Sequence, residues 1–185
     1  MPDNLISAYW RGPASPALRT VLPVLLGIAL LTASAKIQIP FWPVPMTLQT
    51  FAVLLIGAGC GAGLAVLIVI AYLAAGAIGL PVFASGAGLA YMAGPTGGFL
   101  AGFVVAAWAV GEMADRGHGR SITSALLALA LGEAIIFGMG TLWLTAMFGV
   151  EKALAVGVLP FLLGEALKLA LATAVWPLAW AGARK

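Results

Sequence analysis

Long apolar segments, separated by short polar or glycine-rich stretches, dominate the pattern of this sequence. An α-helix needs about 20 predominantly apolar residues to cross the hydrocarbon core of a membrane. Six segments come near that length, at residues 18–35, 46–59, 63–80, 97–114, 122–148 and 156–181. The second is short for a span, so it either tilts little or is partly re-entrant. The pattern predicts an all-α fold, an integral membrane bundle of six transmembrane helices.

Composition agrees with a chain that faces lipid. Hydrophobic residues make up 63% of the 185 residues and charged residues 8%, against roughly 45–50% and about 25% in soluble domains. Residues 1–17 are predicted as a polar N-terminal segment, and residues 18–183 as a single six-helix domain that binds substrate. The net charge of +3 does not predict nucleic-acid binding, because the basic residues are scattered and mostly near loops and ends.

Two of the predicted connections are uncharged. Residues 37–47 read IQIPFWPVPMT, with three prolines that forbid a helix, and residues 81–98 read PVFASGAGLAYMAGPTGG. Apolar, non-helical segments are tolerated in a membrane protein where they cover a cavity rather than face lipid. We therefore expect these two connections to form a lid.

The charges of the loops predict an orientation in a bacterial-type cytoplasmic membrane. Cytoplasmic loops carry an excess of Lys and Arg. With both termini in the cytoplasm, six basic residues lie inside and two, Lys36 and Lys152, lie outside. The six are Arg11, Arg19, Arg116, Arg120, Arg184 and Lys185. This orientation places both apolar connections on the external face.

The side chains needed for several kinds of catalysis are missing from the sequence. His118 is the single histidine, and the two aspartates, Asp3 and Asp115, are both at predicted membrane edges. A two-histidine zinc site and an intramembrane aspartate pair are therefore excluded. The chain also has no G-x-x-x-x-G-K-[ST] phosphate loop. We predict binding or permeation rather than an enzyme, with no catalytic residue, metal or cofactor, and with any ATP hydrolysis supplied by a partner.

Glu165 and Lys168 stand in the otherwise apolar run LLGEALKLAL. An ionised residue at the centre of a membrane helix costs about 2.5–3.5 kcal/mol on insertion scales, so such residues are functional candidates. At a spacing of three the two side chains reach one another. Either they form an ion pair that only holds the bundle together, or they bind a ligand with both a hydrogen-bond donor and an acceptor. With the sixth helix starting near residue 156, we expect them about 10–18 Å along it.

Other polar and aromatic residues are candidates for the same pocket. Trp42, Phe83 and Tyr91 lie in the two apolar connections and are expected to line it. Gln49 either lines the cavity or makes an ordinary hydrogen bond between helices. Glu133 lies in the middle of the fifth segment with no partner nearby in sequence; it is protonated, bonded to another helix or gating, and a structural role is favoured.

Three stretches in this order resemble the BioY family, the biotin-binding S component of energy-coupling-factor (ECF) transporters. They are PVPMTLQTFAVLLIGAGCGAGLAVL, GAIGLPVFASGAGLAYMAGPTGGFLAGF and LGEALKLALA. The resemblance implies a six-helix fold that holds biotin near the external face, under the two connections. It also implies that Glu165 and Lys168 match the family's acidic-x-x-Lys pair, and that the backbone of Gly98 lies at the ligand. Some members have asparagine where this sequence has Ala87, so that Ser85, Gln49 or backbone groups are expected to replace that contact.

The resemblance also implies partners. The small-residue spacing Ala29-x-x-x-Ala33 in the first segment matches the motif by which S components dock on the transmembrane coupling subunit, which works with ATPase subunits. Two alternatives remain open: a solitary or ion-coupled vitamin carrier, and a structural membrane subunit that binds no ligand.

Overall fold

The computed structural model describes residues 16–183, so the predicted polar N-terminal segment lies almost wholly outside the described residues, as do Arg11, Arg184 and Lys185. Within residues 16–183 there are eight helices and one two-stranded ribbon. The helices are α1 Pro16–Lys36, α2 Gln49–Cys60, α3 Ala62–Ala77, α4 Gly88–Met92, α5 Gly97–Asp115, α6 Ile122–Phe148, α7 Val150–Gly157 and α8 Leu162–Ala183. The strands β1 Gln38–Ile39 and β2 Met46–Thr47 pair antiparallel, with Gln38 opposite Thr47.

Four helices are long and apolar enough to cross a membrane: α1, α5, α6 and α8. This result confirms the predicted all-helical fold, with four candidate membrane spans. The apolar helices α2 and α3 are shorter, with 12 and 16 residues, which at 1.5 Å per residue gives about 18 Å and about 24 Å. Helix α2 begins later than predicted because residues 46 and 47 pair with β1. For α2 and α3, membrane crossing stays a prediction.

The sixth predicted helix was wrong at its start. The chain forms the short helix α7, breaks at residues 158–161, and begins α8 only at Leu162. Pro160 lies in this break; it has no N–H to donate, and it disfavours a helical conformation in the residue before it. Glu165 is therefore in the first turn of α8, and Lys168 is one turn further. Both lie less than about 10 Å along the helix, not at the predicted depth.

The helix α5 lies at the centre of the bundle. Over half of its span is buried, against 22–28% for the other three long helices, and it packs against α2, α3 and α6. Small residues allow this close approach: a Cβ on Gly111 would lie 2.5 Å from the backbone nitrogen of Ala62. Large apolar side chains of the outer helices point away from the core, among them Leu25, Leu26, Leu127, Leu142, Leu163 and Leu167. The outer surface is the one that lipid covers.

The two ends of the bundle are distinguished by hydrogen bonds. At one end the carboxylate of Asp115 accepts a bond of 2.9 Å from the backbone N–H of Ala62, which joins the end of α5 to the turn between α2 and α3. At the other end Lys36 and Gln38 bond to residues 83 and 84. Residues 37–48 and 78–96, which we call the lid segments, therefore lie together at one end of the bundle.

Candidate ligand-binding site

Glu165 and Lys168 form an ion pair that is extended by two threonines. The ammonium of Lys168 donates to Glu165 Oε1 at 2.7 Å, to the carbonyl oxygen of Thr47 at 2.5 Å and to Thr50 Oγ1 at 3.3 Å. The hydroxyl of Thr50 in turn donates to Glu165 Oε2 at 2.7 Å. All three N–H donors of Lys168 are engaged, and so are both oxygens of Glu165. The pair joins the start of α8 to the start of α2.

A cavity lies between this pair and the lid segments. Its empty space is about 480 Å³, counting the space at its open mouth. The wall is mostly apolar, formed by Val44, Pro45, Phe83, Ala84, Tyr91, Phe99, Leu100, Phe103, Phe137 and Phe161, and polar groups enter from Thr47, Gln49, Thr50, Thr96 and Glu165. Binding sites for small molecules have this character, with an apolar wall and a few polar groups that fix the orientation of the ligand.

Phe83 is the centre of the aromatic wall. Its ring stacks on Tyr91 with centroids 5.0 Å apart, and it meets Tyr72 edge-on at 5.5 Å. Both arrangements are favourable for aromatic pairs. Phe83 is 1% exposed, and it fits only because residue 76 is glycine: a Cβ on Gly76 would lie 2.0 Å from the ring. Lys36, the last residue of α1, holds the second lid segment in place, since its Nζ donates to the carbonyl oxygen of Phe83 at 2.5 Å.

Gln49 has both of the roles that the sequence left open. It lines the cavity, and its Nε2 donates to the hydroxyl of Tyr72 on α3 at 2.8 Å. The Tyr72 hydroxyl then donates to the carbonyl oxygen of Val82 at 3.0 Å. Gln49 therefore connects the cavity wall to a lid segment through Tyr72.

Tyr91 and Trp42, the two other aromatic residues predicted to line the cavity, lie in different places. Tyr91 lines the cavity. Trp42 does not: its side chain is 74% exposed, and the ammonium of Lys152 lies 5.5 Å from its ring centroid.

Ser85 is exposed and Ala87 is half-buried at the N-terminal end of α4, and neither is among the residues that line the cavity. On α1, Ala29 and Ala33 are both exposed.

Gly98 lies in the first turn of α5, against α6. A Cβ at this position would be 2.2 Å from the Cβ of Trp143 and 2.7 Å from the carbonyl oxygen of Met139. The glycine is therefore needed for the packing of α5 on α6, whatever its relation to a ligand.

Replacing Gly98 with alanine is expected to lower stability through that contact, by about 1–3 kcal/mol, because overpacking forces the two helices apart. Thermal unfolding of the ligand-free variant in detergent measures this loss. Gly138 is a matched control on α6, since a Cβ there meets nothing within 4 Å. An unfolding midpoint of Gly98→Ala equal to that of the parent would contradict the packing role.

Glu133 lies beside the ion pair but outside the cavity wall. Both of its carboxyl oxygens are buried and have no hydrogen-bond partner among the described residues. Glu165 and Lys168 lie within electrostatic reach of it. This proximity could not be predicted from the sequence, because Glu133 is 32 positions from Glu165 and on another helix. Thr47 and Thr50 were also missed as partners of the pair, although both lie next to Gln49 in MTLQT.

The fold and the site together define a multi-pass membrane protein with a small-molecule cavity. The sequence model of the BioY family matches residues 7–185. The chain is 38% identical over 153 residues to "Probable biotin transporter BioY" of Pyrococcus horikoshii, covering 82% of this chain and 90% of the relative. It is 36% identical over 160 residues to "Biotin transporter BioY" of Thermotoga maritima, covering 85% and 94%. The chain belongs to the BioY family.

A solved structure has the same fold. It is the crystal structure at 2.1 Å of the S-component for biotin from an ECF-type ABC transporter, with a TM-score of 0.74 and 22% sequence identity. The match covers 86% of this chain and 89% of that one. The relatives are named as transporters or transporter components, not as enzymes.

Proposed function

We propose that this chain is the biotin-binding membrane subunit of an ECF transporter. The observation that carries the proposal is the cavity between the lid segments and the Glu165–Lys168 pair, in a chain of the BioY family. The names of its relatives, which are biotin transporters at 36–38% identity, support biotin as the ligand.

Biotin has chemistry that suits this cavity. Its ureido ring offers two N–H donors and a carbonyl acceptor, its thiophane ring is apolar, and its valerate chain ends in a carboxylate. Glu165 lines the cavity and its carboxylate can accept N–H bonds. Lys168 is not among the lining residues, and its ammonium can donate to a ligand oxygen only in exchange for one of its present bonds. Because the pair is fully bonded without ligand, biotin exchanges existing hydrogen bonds and leaves no charge unpaired, which keeps the cost of desolvation low.

Transport by this subunit needs an energy source outside the chain, which has no phosphate loop. The proposed partners are a transmembrane coupling subunit and ATPase subunits. Ala29 and Ala33 are small and exposed on α1, so a partner helix can approach the α1 backbone closely there. Ser34 is buried beside them and donates back to the carbonyl oxygen of Leu31.

The proposed topology has six membrane crossings with both termini in the cytoplasm. Helices α2 and α3 turn at Gly61, and the Gln49–Tyr72 bond joins the start of one to the end of the other, so they form an antiparallel hairpin. This arrangement supports two short crossings. Arg116 and Arg120 are at the end of the bundle opposite the lid segments, in the connection between α5 and α6, as a cytoplasmic position requires.

ATP-driven uptake tests this proposal. Membrane vesicles containing the chain alone, or the chain with coupling and ATPase subunits, are loaded with ATP and supplied with labelled biotin. Accumulation is expected only with the partners, because the chain alone cannot couple ATP hydrolysis to movement. Equal uptake in both would reject the partner requirement, and uptake that follows a pH gradient would favour an ion-coupled carrier. Absence of biotin binding to the folded chain in detergent would favour a structural subunit.

A further inference from the structure

The hydrogen-bond donors of the ion pair beside Glu133 are already given to other residues. The three N–H donors of Lys168 go to Thr47, Thr50 and Glu165. The hydroxyl hydrogen of Thr50 goes to Glu165. Glu133 thus receives no donor from the described residues, whereas Glu165 receives two. Two neighbouring carboxylates cannot bond to each other unless one of them carries a proton.

The net charge of the cluster formed by Glu133, Glu165 and Lys168 also indicates that one of the two glutamates carries a proton. The charged groups that act on Glu133 are Glu165 and Lys168, both from α8. The helices α2 and α5 pack against this level of α6 with apolar side chains, since Leu54, Val110 and Ala106 face the neighbouring Gly132. With both glutamates ionised, the cluster has one negative charge too many in a buried membrane site, which is costly. One proton makes the cluster neutral.

Hydrogen bonding decides which glutamate holds that proton. Glu165 is ion-paired with Lys168 and accepts from Thr50, so each of its two oxygens already accepts a hydrogen bond. It also lies in the first turn of α8, where the helix dipole favours a negative charge. Nothing comparable acts on Glu133. The proton is therefore assigned to Glu133, and the Glu165 carboxylate is the charged acceptor that interacts with it.

We propose that Glu133 is a positioning residue: a neutral carboxylic acid whose O–H donates to Glu165 and fixes the orientation in which the Glu165 carboxylate meets the ligand. Glu133 is not part of the cavity wall, so it acts through Glu165. The part of this proposal that concerns the ligand rests on the proposed function. The part that concerns protonation does not, and can be measured without a ligand.

Infrared spectroscopy of the ligand-free protein at neutral pH tests the protonation. The parent is expected to show the C=O stretching band of a protonated carboxylic acid, and Glu133→Gln to lack it. Glu112→Gln is the matched control: Glu112 pairs with Arg116 at 2.9 Å near the far end of α5, so this variant keeps the band. A parent without the band, or a band that persists in Glu133→Gln, overturns the proposal.

Biotin binding to two variants tests the positioning role. The amide N–H of Gln replaces the O–H donor, so Glu133→Gln is expected to bind within about threefold of the parent, whereas Glu133→Met, which has a similar volume and no donor, binds about tenfold or more weakly. Equal losses in both variants, or no loss in either, overturns the positioning role. If the folded parent binds no biotin but the infrared bands behave as expected, the proposed function fails while the protonation of Glu133 stands.

Discussion

Replacing Lys168 with methionine is expected to weaken biotin binding by about tenfold or more. A hydrogen bond that involves a charged group contributes about 1.5–3 kcal/mol, and each 1.4 kcal/mol of binding free energy is about a tenfold change in affinity. The pair is largely shielded: the side chains of Lys168 and Glu165 are 12% and 9% exposed. Methionine leaves Glu165 without its counter-charge and leaves the carbonyl oxygen of Thr47 without its donor. The measurement is equilibrium binding of labelled biotin to the purified chain in detergent.

Lys152→Met is the matched control for this variant. Lys152 is exposed and lies over the rings of Trp42 and Phe148, so its loss removes the same charge without touching the pair. It is expected to bind biotin as the parent does. Unchanged affinity in folded Lys168→Met would show that the pair holds the bundle together and does not act on a ligand. The thermal unfolding midpoint of Lys168→Met separates a lost site from a lost fold.

The helices that could be predicted best from the sequence are those with local signals at their ends. The bounds of α6 are the predicted ones, because the side chain of Ser121 accepts from the backbone N–H of Ser124 at its start and Gly149, with φ of +84°, ends it. The start of α8 was missed since hydropathy runs through Pro160 without a change. The hydropathy of a segment does not predict a helix break such as this one, which depends on the missing N–H of a single proline.

The site divides in the same way, into local and long-range parts. The contact between Glu165 and Lys168 follows from a spacing of three on one helix, and it was predicted. Their bonds to Thr50 and Thr47 cross 115 and 121 positions, and only the packing of α2 against α8 brings these groups together. The outward position of Trp42 is of this long-range kind too, because it depends on the path of the whole lid segment.

Replacing Phe83 with alanine is expected to open the lid end of the cavity. The substitution removes the stack on Tyr91 and the edge contact with Tyr72, and leaves empty the space above Gly76 that the ring fills. Truncating a buried phenylalanine costs about 3–5 kcal/mol, which for a chain of this size lowers the unfolding midpoint by about 10 °C. The bond from Lys36 goes to the backbone of residue 83, so it does not depend on the ring.

The bond from Lys36 to the backbone of residue 83 keeps the lid segment attached in this variant. The main effect on function is therefore expected in the dissociation rate of biotin. Release of bound, labelled biotin into excess unlabelled biotin should be at least about tenfold faster in Phe83→Ala, since interface changes alter dissociation more than association. Phe83→Leu, which keeps most of the apolar volume but loses the aromatic stack, should fall between the parent and Phe83→Ala. A release rate unchanged in Phe83→Ala, in a protein whose unfolding midpoint has fallen, would show that Phe83 supports the bundle but does not retain the ligand.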